Sequence, residues 1–208
     1  MRDPLFRMAL VLGLLSAVGP FAIDMYLPAL PQVAADLGTT EAGAALTLTS
    51  YFIVFGIAQM IYGPMADALG RKTPLLIGVA IFLAATVAAA LAPTVGWLIA
   101  ARALQGLGAA TLMAVPRAVI RDVATGPEAA KVMSTIMIVI AVSPMLAPLT
   151  GSLVMGWGGW REIFAILAVA ALVSLALILF VLPETLAPEH RRPVRLAPML
   201  SGARRLLI

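Results

Sequence analysis

The chain has 208 residues, of which 62% are hydrophobic and 12% are charged. An ordinary soluble domain carries about 25% charged residues, so this composition excludes a soluble globular protein. The net charge is +4, and the absence of cysteine from the sequence excludes disulfides, thiolate metal sites and cysteine nucleophiles.

Six apolar runs have the length that an α-helix needs to cross a bilayer, about 20 residues. They show no strict alternation of polar and apolar residues, which excludes the strands of a membrane barrel. No small-residue cleavage site follows the first run, which is therefore predicted to be a retained span rather than a signal peptide. The sequence predicts an all-α membrane protein with six transmembrane helices in residues 1–182. The predicted spans are 6–28, 44–66, 74–92, 95–115, 132–155 and 163–182.

The cationic residues predict the orientation of these spans. Twelve of the 14 lysines and arginines precede span one, follow span six, or lie in the loops after spans two and four. On the other side of the membrane there is only Arg161, while Arg102 lies inside span four. By the positive-inside rule, both termini of this multi-pass protein are predicted to be cytoplasmic. The charge distribution thus indicates topology, and no nucleic-acid partner is expected.

Residues 183–208 form a predicted basic cytoplasmic linker. Arg191, Arg192 and Arg195 lie among prolines there, beside the anionic headgroups of the membrane. A new apolar run begins at Leu206 and the chain stops at Ile208, so we expect a second bundle to follow in the complete protein.

Two charges inside the predicted spans are functional candidates, because such a charge costs about 2.5 to 3.5 kcal/mol on insertion scales. Asp24 lies between Pro20 and Pro28, near the outer end of span one. It is either an interfacial residue or, if the helix continues past Pro28, a buried carboxylate that can titrate. Arg102 either snorkels to the outer headgroups or is buried, and Gln105 one turn further in favours burial.

An aromatic stripe follows span two at helical spacing. Tyr51, Phe55 and Tyr62 share this stripe with Gln59, whose amide favours a cavity wall over simple helix packing. Spans one and four each begin a triplet of helices and each carry one charge, which suggests an inverted repeat with a ligand site near the midplane. The residues assigned to the cavity wall are Tyr51, Phe55, Gln59, Met113 and Met137.

Four segments resemble motifs of one transporter family. Residues 63–72 (GPMADALGRK) resemble the signature of the major facilitator superfamily in the loop between spans two and three. Residues 102–108 (RALQGLG) resemble the span-four motif of its drug:proton antiporters, and residues 147–151 (APLTG) the span-five antiporter motif. Residues 24–31 (DMYLPALP), with residues 62–64 (YGP), are similar to the Bcr/CflA group of bicyclomycin-resistance exporters.

This resemblance implies a carrier of two six-helix bundles around a central cavity, with alternating access driven by the proton gradient and no other cofactor. The chain would be the N-terminal bundle, and its partners would be a small-molecule substrate, protons, the lipid bilayer and a C-terminal six-helix bundle. The implied function is proton-coupled efflux (antiport) of small amphipathic drugs across the inner membrane. The protein would be a transporter and not an enzyme.

The same motifs suggest roles for individual residues. Asp24 would be the proton-coupling carboxylate, with Arg102 and Gln105 beside it to regulate it or orient the substrate. In the loop after span two, glycines permit close backbone approach and a tight turn, while Asp67 can cap a helix start or pair with Arg71 or Arg117. The residues assigned to gating are Gly63, Asp67, Gly70, Arg71, Lys72 and Arg117. Those assigned to the antiporter helix, which is bent by its prolines, are Pro144, Pro148 and Gly151.

Three alternatives to drug efflux differ in how well they fit the sequence. An exporter of a natural metabolite such as an amino acid fits the same motifs. A six-helix oligomeric channel is disfavoured, because no span carries a row of acids or a filter-like glycine loop. An intramembrane hydrolase is excluded, because His190 lies outside every span and no cysteine can replace it as part of a catalytic group.

Overall fold

A computed structural model describes residues 4–191 of the chain, and over these residues it contains helices and turns but no strand. Six helical stretches in this part are long and apolar enough to cross a membrane, with the first two α-helices sharing one stretch. The predicted fold class is therefore confirmed. The helices are α1 (Pro4–Asp24), α2 (Leu30–Asp36), α3 (Glu41–Leu69), α4 (Lys72–Ala90), α5 (Val95–Val123), α6 (Gly126–Met155) and α7 (Trp160–Phe180).

Several helices extend beyond the apolar runs that predicted them. Helix α3 begins at Glu41, where the Thr40 hydroxyl accepts the N–H of Gly43 at 3.1 Å and caps the helix. Helix α6 begins at Gly126 rather than at residue 132. The difference has a simple cause, because an apolar run marks the part of a helix that crosses hydrocarbon, whereas the polar ends continue into the interface.

The first span is broken near its C-terminal end. Helix α1 passes through Pro20 and ends at Asp24, and a 3₁₀ turn at Leu27–Ala29 precedes α2. Pro28 has no N–H to give to the carbonyl of Asp24, so a continuous α-helix would leave that carbonyl without a partner. Asp24 is consequently half-buried at a helix end. Full burial of Asp24 was expected only if the α-helix continued past Pro28, and the helix is broken before that residue.

Helix α5 lies at the centre of the bundle, packed on α1, α3 and α4. Its glycines allow this packing. A Cβ added to Gly108 would overlap backbone atoms of Gly78 and Phe82 in α4, and one added to Gly106 would overlap the carbonyl of Tyr51 in α3. Small residues of this kind let helix backbones approach closely in a membrane, where there is no hydrophobic force between helices.

The ends of three spans on the predicted outer side are tied together around Trp160, the first residue of α7. Its indole Nε1 donates to Asp36 at 2.9 Å, and its backbone N–H donates to the side chain of Gln32 at 3.2 Å. Arg161 stacks over the Trp160 ring at 4.1 Å and donates to the carbonyl of Ala92 at 3.1 Å. The single cation predicted on this side thus links α2, the end of α4 and α7.

Helices α3 and α6 are the least enclosed spans of the described bundle. Each presents large apolar side chains outward, and these surfaces are available to lipid or to another helical bundle. The most exposed of these side chains are Phe52, Ile53, Ile57 and Met60 on α3, and Met145, Leu149 and Leu153 on α6.

Candidate functional site

Arg102 lies in the middle of the bundle, with none of its surface exposed. Its guanidinium carbon is 4.7 Å from the ring centroids of both Tyr26 and Tyr51, and 5.8 Å from that of Phe164. Aromatic faces attract a cation, and the attraction is stronger where water is excluded. The interpretation in which Arg102 snorkels to the outer headgroups is therefore wrong.

A chain of hydrogen bonds runs from this guanidinium across the bundle. Arg102 Nη1 donates to the carbonyl of Ala22 at 3.2 Å and to Gln105 Oε1 at 2.5 Å. Gln105 Nε2 donates to Thr86 Oγ1 at 2.8 Å, and that hydroxyl donates to the carbonyl of Phe82 at 2.6 Å. The chain connects α1, α5 and α4, so a movement of Arg102 is coupled to three spans.

The tyrosines that enclose Arg102 are themselves fixed. The hydroxyl of Tyr26 lies 3.1 Å from that of Thr47, and the hydroxyl of Tyr51 donates to the carbonyl of Gly19 at 3.1 Å. Both rings are fully buried. Arg102 therefore sits in a prearranged aromatic cage rather than in a flexible one.

The cage leaves part of the guanidinium unsatisfied. Arg102 Nε and Nη2 are buried and have no hydrogen-bond partner among the described residues. Within the same residues, no salt bridge joins Arg102 to a carboxylate. A buried cation with free donors has a strong need for an acceptor, because desolvation without compensation is costly.

Asp24 lies close in sequence to this cage but does not pair with the arginine. It follows Ala22, which accepts a hydrogen bond from Arg102, by two residues. The structure assigns Asp24 no ion pair within residues 4–191, so the two charges are separate in this conformation.

The residues predicted to line the cavity occupy different environments. Tyr51 lies against Arg102, and Phe55 stacks on Tyr51 with centroids 5.8 Å apart. Gln59 and Met113 are half-buried. Met137 lies on the outer side of α6 and is 43% exposed. The structure thus brings Tyr51 and Phe55 to the cage, and it places Met137 away from the cage on a different helix.

A second polar cluster lies around Arg71, at the C-terminal ends of α3 and α5. Arg71 is 5% exposed, and its Nη1 is 2.6 Å from Asp67 Oδ1. Its Nε and Nη2 donate to the two carboxylate oxygens of Asp122 at 2.7 and 3.2 Å. Burial lowers the pKa of Arg71, but the two carboxylates outweigh it and hold the pKa above its ordinary value. Of the two predicted partners of Asp67, the structure selects Arg71.

The segment after α7 joins this cluster through Glu184. Its carboxylate accepts the backbone N–H of Arg71 at 2.8 Å and that of Lys72 at 3.1 Å, at the start of α4. Lys72 in turn donates through Nζ to the carbonyl of Leu179 at 2.9 Å. Gly70 has a φ of +90°, and a Cβ there would overlap the Glu184 side chain. The positive φ therefore makes glycine the favoured residue in the turn before α4.

Five other residues assigned to motif roles lie outside these clusters. Arg117 is exposed on α5. A Cβ added to Gly63 would have no neighbour within 4 Å among residues 4–191, so the structure shows no close approach there that requires glycine. In α6, a Cβ on Gly151 would overlap the carbonyl of Met25, so this glycine brings α6 against the end of α1. Pro144 and Pro148 both lie within α6. Arg192 and Arg195 of the predicted linker lie outside the described residues.

Residues 12–206 match the family model of the Major Facilitator Superfamily. The chain belongs to the Major Facilitator Superfamily. This is a family of transporters, and the chain is accordingly a multi-pass membrane protein of a transporter family and not an enzyme.

The chain is also similar to individual proteins that are named as transporters or as drug-resistance proteins. It is 41% identical over 188 residues to the uncharacterized MFS-type transporter YdgK of Bacillus subtilis, covering 89% of this chain and 47% of the relative. It is 35% identical over 191 residues to a bicyclomycin resistance protein homolog of Haemophilus influenzae, covering 92% and 48%. It is 38% identical over 166 residues to the multidrug resistance protein MdtL of Escherichia coli, covering 80% and 42%. The chain spans about half the length of these relatives.

Solved structures show the same fold. The proton:xylose symporter XylE matches with a TM-score of 0.77 at 20% identity, over 87% of this chain and 45% of that one. The human organic anion transporter MFSD10 matches with a TM-score of 0.76 at 18% identity, over 92% and 50%. The fold is therefore that of one six-helix half of a Major Facilitator Superfamily transporter.

Five residues of the two clusters were missed by sequence reasoning, one of them being Phe164, a single aromatic residue in the apolar run of span six. Tyr26 lies inside the segment 24–31, and its ring alone gave no signal that it faces a cation. Thr86 is a single hydroxyl in an apolar run. Asp122 and Glu184 follow the predicted spans four and six. Each is an acidic residue near basic ones, and this pattern could have indicated polar contacts between the loops.

Proposed function

We propose that the chain is the N-terminal bundle of a proton-coupled exporter of small amphipathic drugs. The bundle would lie in the inner membrane with both termini in the cytoplasm. A second, C-terminal bundle would complete the transport cavity. The relatives named for resistance to bicyclomycin, to chloramphenicol and to multiple drugs support the substrate class.

One observation carries the mechanistic part of this proposal. Arg102 is fully buried, has two free donor nitrogens and forms no salt bridge within the described bundle. Its positive charge cannot be removed under working conditions, so its role is electrostatic and positional. During the transport cycle, a hydrogen-bond acceptor that moves toward or away from Arg102 would change the electrostatic energy of any nearby carboxylate.

Asp24 is the carboxylate that we assign to proton coupling. It is half-buried at the end of α1, two residues from the carbonyl that holds Arg102. Protonation would neutralise Asp24 after the substrate leaves. A cationic or hydrogen-bonding substrate would then displace that proton on binding, so that drug and proton exchange by competition for one site.

The cytoplasmic cluster is assigned to gating. Asp67 and Asp122 hold Arg71 from two different helices, and Lys72 is bonded to the end of α7. These contacts lie at the ends of the spans, far from the cage around Arg102. We therefore expect Asp67→Asn to slow transport while substrate affinity changes by no more than a few-fold.

The function can be tested with a chimera. The chain would replace the N-terminal half of the Haemophilus influenzae bicyclomycin resistance protein homolog, of which it covers 48%. In everted membrane vesicles, addition of bicyclomycin should release protons from the chimera, as recorded with a pH-sensitive dye. The natural-metabolite alternative predicts proton release with amino acids and none with the drug.

Asp24→Asn and Glu41→Gln are the matched variants for this assay. Asp24→Asn should abolish drug-induced proton release while the protein still inserts. Glu41 is an exposed outer-side acid at the start of α3, and its replacement should have no effect. If Asp24→Asn retains proton-driven accumulation of the drug, the coupling carboxylate lies elsewhere.

A further inference from the structure

Thr86 lies in α4, at the end of the hydrogen-bond chain that begins at the guanidinium of Arg102. Its side chain is fully buried. Its hydroxyl accepts a hydrogen bond from Gln105 Nε2 at 2.8 Å and donates one to the carbonyl of Phe82 at 2.6 Å. No hydrogen bond joins Thr86 to Arg102 directly in the described part of the chain, so an effect of Thr86 on the cation has to pass through Gln105.

The direction of each hydrogen bond in this chain follows from what each group can do. A guanidinium can only donate, so the oxygen of the Gln105 amide faces Arg102 and its nitrogen faces Thr86. That nitrogen can also only donate, so the Thr86 oxygen is its acceptor, while the Thr86 O–H donates to the carbonyl of Phe82. The Thr86 oxygen is therefore the acceptor that keeps the Gln105 amide in this orientation.

The close packing of α4 on α5 brings Thr86 within reach of Gln105. Gly108 follows Gln105 by three residues, and a Cβ added to it would overlap the backbone of Phe82, about one helical turn before Thr86. The threonine side chain is short, and it meets the amide because small residues let the two backbones approach at this level. Both side chains are fully buried, so water cannot take the place of either partner.

We propose that Thr86 is a positioning residue for Arg102, and that it acts through Gln105. With the Thr86 oxygen present, the Gln105 amide is held at both ends and its oxygen stays against Arg102 Nη1. Without that oxygen, the buried nitrogen of Gln105 loses its acceptor, and an amide that turns to find another withdraws its oxygen from the guanidinium. The position of Arg102 can be observed without transport, whereas the consequence for transport rests on the proposed function.

Two variants separate the hydroxyl of Thr86 from its volume. Thr86→Val keeps the shape of the side chain and removes the acceptor, whereas Thr86→Ser keeps the hydroxyl and removes a methyl group. Thr86→Val is the more harmful change if Thr86 positions Gln105, and Thr86→Ser is the more harmful change if Thr86 only fills space. Thr111→Val is the matched control, because Thr111 is a buried threonine of α5 whose hydroxyl donates to the carbonyl of Gly108 in its own helix.

The restraint on Arg102 can be measured in the full chain in detergent micelles by NMR of ¹⁵N-labelled arginine side chains. Rotation about the Nε–Cζ bond interchanges Nη1 and Nη2, and the hydrogen bonds that Nη1 donates to Gln105 and Ala22 resist it. The pair of resonances that Arg102→Lys removes belongs to Arg102. Thr86→Val should raise the rate of this rotation by about three- to ten-fold, the factor that one net hydrogen bond provides. Thr86→Ser and Thr111→Val should leave the rate nearly unchanged.

The same variants in the chimera report the consequence for transport. Thr86→Val should raise the bicyclomycin concentration that gives half-maximal proton release by about three- to ten-fold, with little change in the maximal rate. Thr86→Ser should restore the unmodified value. If the proposed function fails, the unmodified chimera will show no drug-induced proton release, whereas the NMR measurement still decides whether Thr86 positions Arg102.

A double variant tests whether the effect passes through Gln105. In a Gln105→Leu background, Thr86→Val should have no further effect on the rotation of Arg102. An unchanged rotation rate in Thr86→Val, an equal effect with and without Gln105, or a larger effect of Thr86→Ser than of Thr86→Val would each overturn the proposal.

Discussion

At the scale of single residues, the bundle shows two ways of holding a buried arginine. Arg71 is neutralised by carboxylates from two helices, as expected for a charge near the end of a span. Arg102 is surrounded by aromatic rings and bonded to an amide and a carbonyl. The first arrangement fixes a charge permanently, whereas the second leaves a cation with unused donors for a ligand or a moving carboxylate.

Glu184 allows the cluster around Arg71 to be tested by a change of pH. Burial raises the pKa of Glu184. The backbone N–H groups of Arg71, Leu186 and Lys72 and the charge of Arg191 lower it by a larger amount, so the folded-state pKa is below the ordinary 4.5. The stabilising contact is therefore complete above pH 4.5 and is lost as the pH falls through the lower folded-state value. Hydrogen exchange at the Arg71 and Lys72 amides, corrected for intrinsic rates, should accelerate in that window.

The matched variants for this measurement are Glu184→Gln and Glu189→Gln. The first should lose protection of the two amides already at neutral pH, because a neutral amide is a weaker acceptor than a carboxylate. The second changes an exposed acid of the same segment and should leave protection unchanged. Protection that is independent of pH in the unmodified chain would contradict the assignment.

At the scale of helices, close packing depends on where glycine occurs in α5. Gly106 and Gly108 touch the backbones of α3 and α4, while Gly96 in the same helix faces open space. Alanine stabilises a helix relative to glycine by up to about 1 kcal/mol. Whether Gly→Ala raises or lowers the stability of the bundle therefore depends on the space around each glycine.

Gly108→Ala and Gly96→Ala should therefore have opposite effects on stability. Gly108→Ala should lower the free energy of unfolding by about 1 to 3 kcal/mol, because the added methyl overlaps rigid backbone of α4. Gly96→Ala should leave stability equal or slightly higher. Reversible unfolding in mixed detergent micelles measures both, and equal stability of the two variants would mean that α4 and α5 are less closely packed than described.

Sequence reasoning predicted the spans well and the contacts poorly, for a physical reason. Hydrocarbon thickness imposes about 20 apolar residues on each span, and this local signal survives in any apolar run. The pairing of Arg71 with Asp122 joins residues 51 positions apart, and the cage around Arg102 joins four helices. Such contacts depend on how helices pack, which no local pattern contains. The break after Asp24 was signalled by Pro28, but its effect on the burial of Asp24 was not.

At the scale of the whole molecule, the described bundle is one half of a two-bundle fold. The exposed apolar faces of α3 and α6 are larger than those of the other spans, and we expect the second bundle to cover part of them. In contrast, the charged cluster around Arg71 and the tie around Trp160 close opposite ends of this half. The bundle should therefore insert on its own, yet drug efflux should require its partner.

The absence of cysteine from the sequence makes the orientation easy to measure. A cysteine introduced by Pro93→Cys lies between α4 and α5 on the predicted outer side, and one introduced by Glu128→Cys lies at the predicted inner start of α6. A membrane-impermeant maleimide added to intact spheroplasts should label the first and not the second. Lysed cells provide the control, since both positions are then accessible, and the reverse labelling would invert the topology.

The cage around Arg102 also bears on how the chain enters the membrane during synthesis. Ribosomes release the N-terminus first, so Tyr26 and Tyr51 are already present when α5 leaves the translocon, whereas Phe164 follows later. An arginine in a lone helix meets a barrier of about 2.5 to 3.5 kcal/mol. We expect α5 to insert poorly when it is synthesised without α1 and α3, and fully when they precede it, as glycosylation mapping of truncated chains would record. Because α1 and α3 are synthesised before α5, Tyr26 and Tyr51 would then be in place to contact Arg102 when α5 enters the membrane.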